Sequence, residues 1–289
     1  MTTLRTVAVA GLGLIGGSAA RDLARRGVRV LGFDRDASTV AAAVREDVVA
    51  AALGPALEGV EEADVLLIAL PVLAALALLE AALPRLGSVR LVTDAGSTKR
   101  SIVAAAERLG VGPRFVGAHP LAGHHRCGWE ASRAGLFAGA RVYLCPTRET
   151  TGDAVDHASR LWSLLGGVPE VVDAAEHDRR LAWTSHLPQA VATALAGALA
   201  ARGVGRDELG PGGREMTRLA ASSPQLWRDI VLDNADAIAE ALGALEDGVR
   251  AARLAASAGD AEAILRLFAA GCAWAGEVPA SVAAPGGAG

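Results

Sequence analysis

Gly11, Gly13 and Gly16 stand in a GxGxxG spacing directly behind an apolar run, residues 5–10. A second apolar run, 28–33, ends on Asp34, 18 residues beyond Gly16. Each part of this pattern has its own task in holding a dinucleotide. Gly11 allows the tight turn out of the first strand, Gly13 keeps a side chain away from the pyrophosphate, and Gly16 lets the next helix pack close. Leu14 and Ile15 open that helix, whose free N–H groups and partial positive charge suit phosphates. A carboxylate at Asp34 suits ribose hydroxyls and repels a 2′-phosphate, so NAD is expected rather than NADP, a preference that the adjacent Arg35 could soften.

Two further groups follow apolar runs. Ser97 lies in DAGSTK (94–99), behind the run 89–93, and His119 in GAHPLAG (117–123), behind 114–118. An imidazole titrates near neutrality and suits removal of a proton from an alcohol during hydride loss; the alternative is a packed histidine satisfied by backbone. Ser97 could donate a hydrogen bond to a substrate oxygen, or it or Thr98 could cap a helix. Lys99 could attract an anion or sit as a solvated charge. His124 and His125 are adjacent and poorly placed to share one ion, and no carboxylate or cysteine has ligand spacing to them, so no metal is expected. His186 lies in TSHLPQ (184–189), beside a proline that would kink its helix, and reads equally as a cleft residue or a packed one. Arg214, Arg218 and Arg228 cluster near glycine-rich sequence and could anchor an acidic substrate by bidentate bonds, or pair along a helix face.

The elements that must carry these groups are legible. Strand-like runs recur at 5–10, 28–33, 65–70, 89–93, 114–118, 140–145 and 168–172, with helical patterns between most of them. That alternation predicts an α/β fold with a doubly wound, mostly parallel sheet, whose ligands bind beyond the carboxyl ends of the strands. From Asp173 onward the chain is nearly all helix-compatible, over 174–201, 224–257 and 260–276, and Ser223-Pro224 reads as a helix start. The expected division is 1–172 for the dinucleotide-binding domain and 173–278 for a helical substrate and dimerisation domain. The tail, 279–289, is rich in Pro, Gly and Ala and is expected to be disordered.

Composition bounds the partners. The 289 residues are 52% apolar with a net charge of −4, which is globular and lacks the basic footprint of a nucleic-acid binder. Cys127, Cys145 and Cys272 are widely spaced and form no C-x-x-C pair, so neither a disulfide framework nor a zinc site is expected. With the first strand beginning within a few residues of Met1, a cytoplasmic location without a signal peptide is expected. The uncharged stretch 65–79 is shorter than the ~18 residues of a spanning helix and is divided by Pro71, so no membrane span is expected.

Together, GLGLIGGS (11–18), DAGSTK, GAHPLAG, TSHLPQ and GGREMTRLAASSPQLWRDI (212–230), in this order over about residues 5–275, resemble the prephenate/arogenate dehydrogenase family of tyrosine biosynthesis. The resemblance implies a Rossmann domain followed by a helical dimerisation domain, a homodimer, and NAD-dependent oxidative decarboxylation of prephenate. It implies His119 as the base, Ser97 as its partner on the substrate hydroxyl, and Arg218 and His186 as substrate-binding groups. Gly11, Gly13, Gly16 and Asp34 match the dinucleotide site. Many members carry a glutamate in AGxExSG where this chain has His125, so a histidine stands near the substrate here, and Glu215 could supply an acid instead. A lost carboxylate removes one ammonium partner and favours the keto acid prephenate over arogenate. An arogenate or dual-specificity cyclohexadienyl dehydrogenase, another two-domain hydroxyacid or imine reductase, and a non-catalytic nucleotide sensor stay as alternatives.

Overall fold

In the computed structural model, which describes residues 4–123 and 126–276, eight strands form one sheet. They are β1 (Thr6–Ala10), β2 (Arg29–Phe33), β3 (Ala51–Ala52), β4 (Val65–Ile68), β5 (Leu91–Asp94), β6 (Phe115–Pro120), β7 (Arg141–Pro146) and β8 (Val168–Val171). Their order is β3-β2-β1-β4-β5-β6-β7-β8, and every neighbouring pair is parallel except β6 with β7. The chain leaves β1 toward one edge and then returns to place β4 on the other side of β1. Such a reversal opens a crevice at the carboxyl ends of the two strands, where the glycine loop lies.

The sheet is buried on both faces, which is why its strands read as continuous apolar runs rather than alternating ones. Within β4, Val65 and Leu67 join one core cluster, with Val9, Leu23 and Trp162, while Leu66 and Ile68 join the other, with Leu31, Leu79 and Phe115. Helices cover both faces: α1 (Leu14–Arg25), α2 (Ala37–Arg45), α3 (Val72–Ala82), α4 (Arg100–Arg108) and α5 (Gly152–Leu164). Side-chain oxygens of Asp36 and Thr151 cap α2 and α5.

Beyond β8 come α6 (Ala174–Leu181), α7 (Leu187–Ala200), α8 (Pro211–Met216), α9 (Pro224–Asp233), α10 (Ala235–Ala258) and α11 (Ala261–Trp274). Asp173 caps α6 and Ser223 caps α9, with Pro224 in the first turn as the sequence suggested. The expected helix 174–201 is interrupted by a π-helical turn, Ala182–His186, just ahead of Pro188. The expected helix 224–257 is broken at Asn234. By compactness the chain divides between Ala237 and Ile238. The first unit holds the sheet and the helices through α9. The second starts within α10; in it α11 buries none of its residues, and Leu265, Phe268 and Trp274 are exposed. No described helix is long and apolar enough to cross a membrane. The tail, 279–289, lies outside the described residues.

Candidate active site

The glycine loop is shaped by contacts that only glycine tolerates. Gly11 has φ +95°, and a Cβ there would meet the Ala69 carbonyl oxygen at 2.4 Å. A Cβ on Gly16 would lie 1.8 Å from the Gly11 oxygen. Gly13 differs: nothing lies within 4 Å of a Cβ there, so its neighbourhood is open. Gly13 also precedes α1 with no side-chain cap and no acid in the first turn, leaving the N–H groups around Leu14 and Ile15 available to an anion. Asp34 accepts the Leu12 N–H at 2.8 Å and the Asp36 N–H at 3.0 Å, so its carboxylate also ties the loop to the end of β2. Next to it a cleft of about 850 Å³ is lined by Phe33, Arg35, Val40, Leu53 and Pro55, ample for an adenosine moiety. These residues fit NAD. Gly16→Ala is expected to cost ~3 kcal/mol or more of stability, whereas Gly13→Ala keeps the melting temperature and weakens NAD binding ~10-fold. Calorimetric unfolding and an NAD titration check the pair.

β5 and β6 deliver the next groups. Asp94, at the end of β5, is buried and accepts the Ala118 N–H at 3.1 Å and the Gly96 N–H at 2.8 Å. Lys99 is neither an exposed anion-binding group nor a solvated charge. It is fully buried; its Nζ donates to Asp94 and, at 2.9 Å, to the Ala118 carbonyl. It is also the only lysine in the chain. Neither Ser97 nor Thr98 caps α4. Asp178, from α6, does so at long range, accepting the Lys99 N–H at 2.8 Å and the Arg100 N–H at 2.9 Å. The Ser97 hydroxyl is thereby left without a protein partner among the described residues, on a loop pinned directly behind it.

His119 lies inside β6, which runs to Pro120 because it pairs there with β7, His119 opposite Tyr143. Its Nδ1 is 2.9 Å from His177 Nε2, and His177 Nδ1 is 2.7 Å from Asp178 Oδ1. Tyr143, the chain's only tyrosine, stacks edge-on against His177 with centroids 5.4 Å apart. Its hydroxyl accepts from Arg141 and Arg180. Burial pushes the His119 imidazole well below the ordinary histidine range, and nearby His177, Lys99 and His186 push it further. Burial likewise lowers His177, against the pull of Asp178. Burial alone would raise Asp178, but the hydrogen bonds from His177, Arg100 and Lys99 hold it below the usual carboxylate range.

His186, at the end of the π turn, is buried, 3.2 Å from the Asn234 side-chain amide and edge-on to Trp227. Burial lowers its pKa to about 4. Asn234 also donates to the Asp178 carbonyl at 2.8 Å and accepts from Arg100 at 2.9 Å. The structure therefore links His119, the Ser97 loop and His186 through Asp178 and Asn234. It shows no such link for Arg218, which is exposed and pairs with Glu215 at 3.2 Å. Arg214 instead donates to the Leu209 and Asp207 carbonyls, and Arg228 to Asp229. Gln189 of α7 holds the turn that carries Arg218, donating to the Leu219 carbonyl at 2.8 Å. His125, like His124, lies outside the described residues. Among the described residues no cluster of three or more His, Cys, Asp or Glu side chains is arranged to hold a metal ion.

Nothing in the motifs of the sequence marks His177, Asp178 or Asn234 as site residues. The available signal was the His-Asp pair at 177–178, nine residues before His186, with Asp173 as cap ahead of it.

Known proteins similar to this chain match it over most of its length. The family "Prephenate dehydrogenase, nucleotide-binding domain" matches residues 19–171, and "Prephenate dehydrogenase, dimerization domain" matches 173–270. A Bacillus subtilis prephenate dehydrogenase is 35% identical over 91% of this chain and 73% of its own. A Zymomonas mobilis cyclohexadienyl dehydrogenase is 33% identical over 93% of this chain and 94% of its own. The crystal structure of Aquifex aeolicus prephenate dehydrogenase, in complex with hydroxyphenyl propionate and NAD+, superposes with a TM-score of 0.84 at 30% identity, covering 92% of this chain and 96% of that one. With a glycine loop built for a dinucleotide and an imidazole held at the end of a nearby strand, the chain belongs to the prephenate dehydrogenase family.

Proposed function

We propose that this chain catalyses the NAD-dependent oxidative decarboxylation of prephenate to 4-hydroxyphenylpyruvate, a step of tyrosine biosynthesis, with His119 as its base. The observation that carries the reading is the half-buried imidazole of His119, kept neutral and backed by His177 and Asp178. NAD, when bound at Gly11–Gly16 and Asp34, supplies the hydride acceptor. His119 takes the proton of the hydroxyl on ring carbon C4 as hydride leaves that carbon. The bond from C1 to its carboxylate then breaks, carbon dioxide departs, and the electron pair completes the aromatic ring. Ser97, with its hydroxyl uncommitted, hydrogen-bonds the reacting oxygen. His186 donates a hydrogen bond to the substrate side chain, and Arg218 binds a carboxylate by exchanging it for Glu215. His125 is assigned to the substrate site on the same family pattern.

Among two-domain reductases, a class that uses a catalytic lysine is disfavoured. The single lysine here is sealed away from any ligand by Asp94 and Ala118. The experiment is a cofactor-reduction assay with prephenate and arogenate, each with NAD and NADP. Prephenate with NAD is expected to give the highest kcat/KM. Equal or better turnover of arogenate replaces the reading with a cyclohexadienyl or arogenate specificity, and no turnover of either acid refutes it.

The same reading keeps 1–172 as the cofactor domain and 173–278 as the substrate and dimerisation domain, in a cytoplasmic homodimer. The apolar side chains that α11 leaves exposed, Leu265, Phe268 and Trp274 among them, support a second copy as their cover. Light scattering is expected to give twice the chain mass; a monomer at working concentration counts against it.

A further inference from the structure

We infer that Asp178 is the positioning residue of this site: it fixes which nitrogen of His119 is free to take a proton, and holds Ser97 and His186 in register with it. The inference rests on the reading of His119 as the base.

An ionised carboxylate only accepts. With Asp178 Oδ1 at 2.7 Å, His177 Nδ1 must carry a proton and donate it. A neutral His177 then has a bare Nε2, which accepts at 2.9 Å from His119 Nδ1. His119 thus carries its proton on Nδ1, and its Nε2 lone pair, which has no hydrogen-bond partner among the described residues, is left for the substrate hydroxyl. When that proton arrives at Nε2, the new positive charge is shared inward toward Asp178. The opposite direction of the chain would place the proton on His119 Nε2 and leave no base. Lys99, Asp94 and Tyr143 also border His177. None of them forms a hydrogen bond to its ring among the described residues, so the carboxylate alone sets the direction.

The same residue reaches two other groups. Its carboxylate accepts the Lys99 and Arg100 N–H groups, fixing the chain just behind Ser97. Its backbone carbonyl accepts one Asn234 amide proton, and the other is directed at His186 Nδ1, 3.2 Å away. His186 Nδ1 is therefore the acceptor, and its Nε2–H is the donor offered to substrate. One fully buried acid orients a base, a hydroxyl loop and a substrate donor.

Asp178→Asn tests this. An amide group turned toward Arg100 would face its backbone N–H and guanidinium, two fixed donors. Turned the other way it faces one fixed donor, the Lys99 N–H, and His177, which can change tautomer. The amide therefore donates to His177 Nδ1, and the whole chain of protons reverses. Isotope-labelled histidine and long-range proton–nitrogen correlation read the tautomer of each ring in the full-length protein without substrate, with His119→Asn and His177→Gln assigning the signals. The wild type is expected to show Nδ1–H for His119 and His177 and Nε2–H for His186. Asp178→Asn is expected to shift His119 to Nε2–H and to lower kcat by on the order of 10²–10⁴-fold, with the NAD Kd unchanged. A wild-type His119 protonated at Nε2 overturns the inference even if the variant does not fold. So does an Asp178→Asn protein that keeps both the wild-type tautomers and kcat. Expected tautomers without prephenate turnover would instead count against the proposed activity and leave this assignment standing.

Discussion

His119→Asn is expected to lower kcat with prephenate by on the order of 10²–10⁴-fold, the range that a positioned general base supplies. Asparagine keeps a polar side chain of similar reach, but its amide has no basic lone pair to receive a proton. The NAD-binding loop lies on other strands and its contacts are untouched, so NAD affinity stays at the wild-type value in a direct titration. Full activity in this variant would remove the imidazole from the mechanism. The pH profile gives a second reading. Only the neutral imidazole can act, and burial holds the His119 pKa below 6.5 in the free enzyme. As pH falls, kcat/KM is therefore retained through the ordinary histidine range and is lost only on passing the lowered pKa. An acid limb at or above 6.5 that disappears in no histidine variant would contradict the assignment.

Lys99→Met is expected to be the most destabilising single change at the site. It removes the cationic partner of Asp94 and leaves a buried carboxylate facing only the Ala118 and Gly96 N–H groups. Breaking a buried ion pair on one side costs about 3–5 kcal/mol, equivalent to a fall in melting temperature of roughly 6–20 °C for a chain of this size. Adding Asp94→Asn is expected to recover part of the loss, because the unpaired charge is gone. Lys99→Arg is expected to fail as well: the site is closed, and a planar guanidinium is larger than the ammonium it would replace. This explains why a chain that otherwise uses only arginine for its strong cations keeps lysine here. The Lys99 charge also helps to hold His119 neutral, so in any folded Lys99→Met protein the acid limb of kcat/KM moves to higher pH. Calorimetry and the pH profile check the two effects separately, and an unchanged melting temperature would show the ion pair to be dispensable.

Much of the site was legible because local chemistry wrote it. Gly16 and Asp34 are fixed by crowding against the Gly11 oxygen and by the end of a strand, both within one strand–helix–strand unit, whereas the carbonyl that crowds Gly11 comes from Ala69, beyond β4. The strands were found from apolar runs because both sheet faces are covered. β3 escaped because two residues leave no run to read, and the antiparallel sense of β7 escaped because side-chain pattern does not encode strand direction. The burial of Lys99 is not legible locally, because its sequence neighbours are polar and its cover comes from β6. The role of Asp178 was invisible for a similar reason: its partners Lys99 and Arg100 are 79 and 78 residues away in the chain.

By itself, then, the sequence determined the order of elements, the dinucleotide loop, and His119, Ser97 and His186 as groups available for chemistry. These depend on neighbours along the chain: strand periodicity, glycine conformation and the side-chain types themselves. Only the tertiary structure decided how those groups are oriented, since hydrogen-bond direction, burial and charge at His119 are set by His177, Asp178 and Lys99, brought together by sheet order and by α6 packing against β7 and α4. A proton has to move in one direction at one nitrogen, and that direction is a property of the folded network rather than of any residue in it.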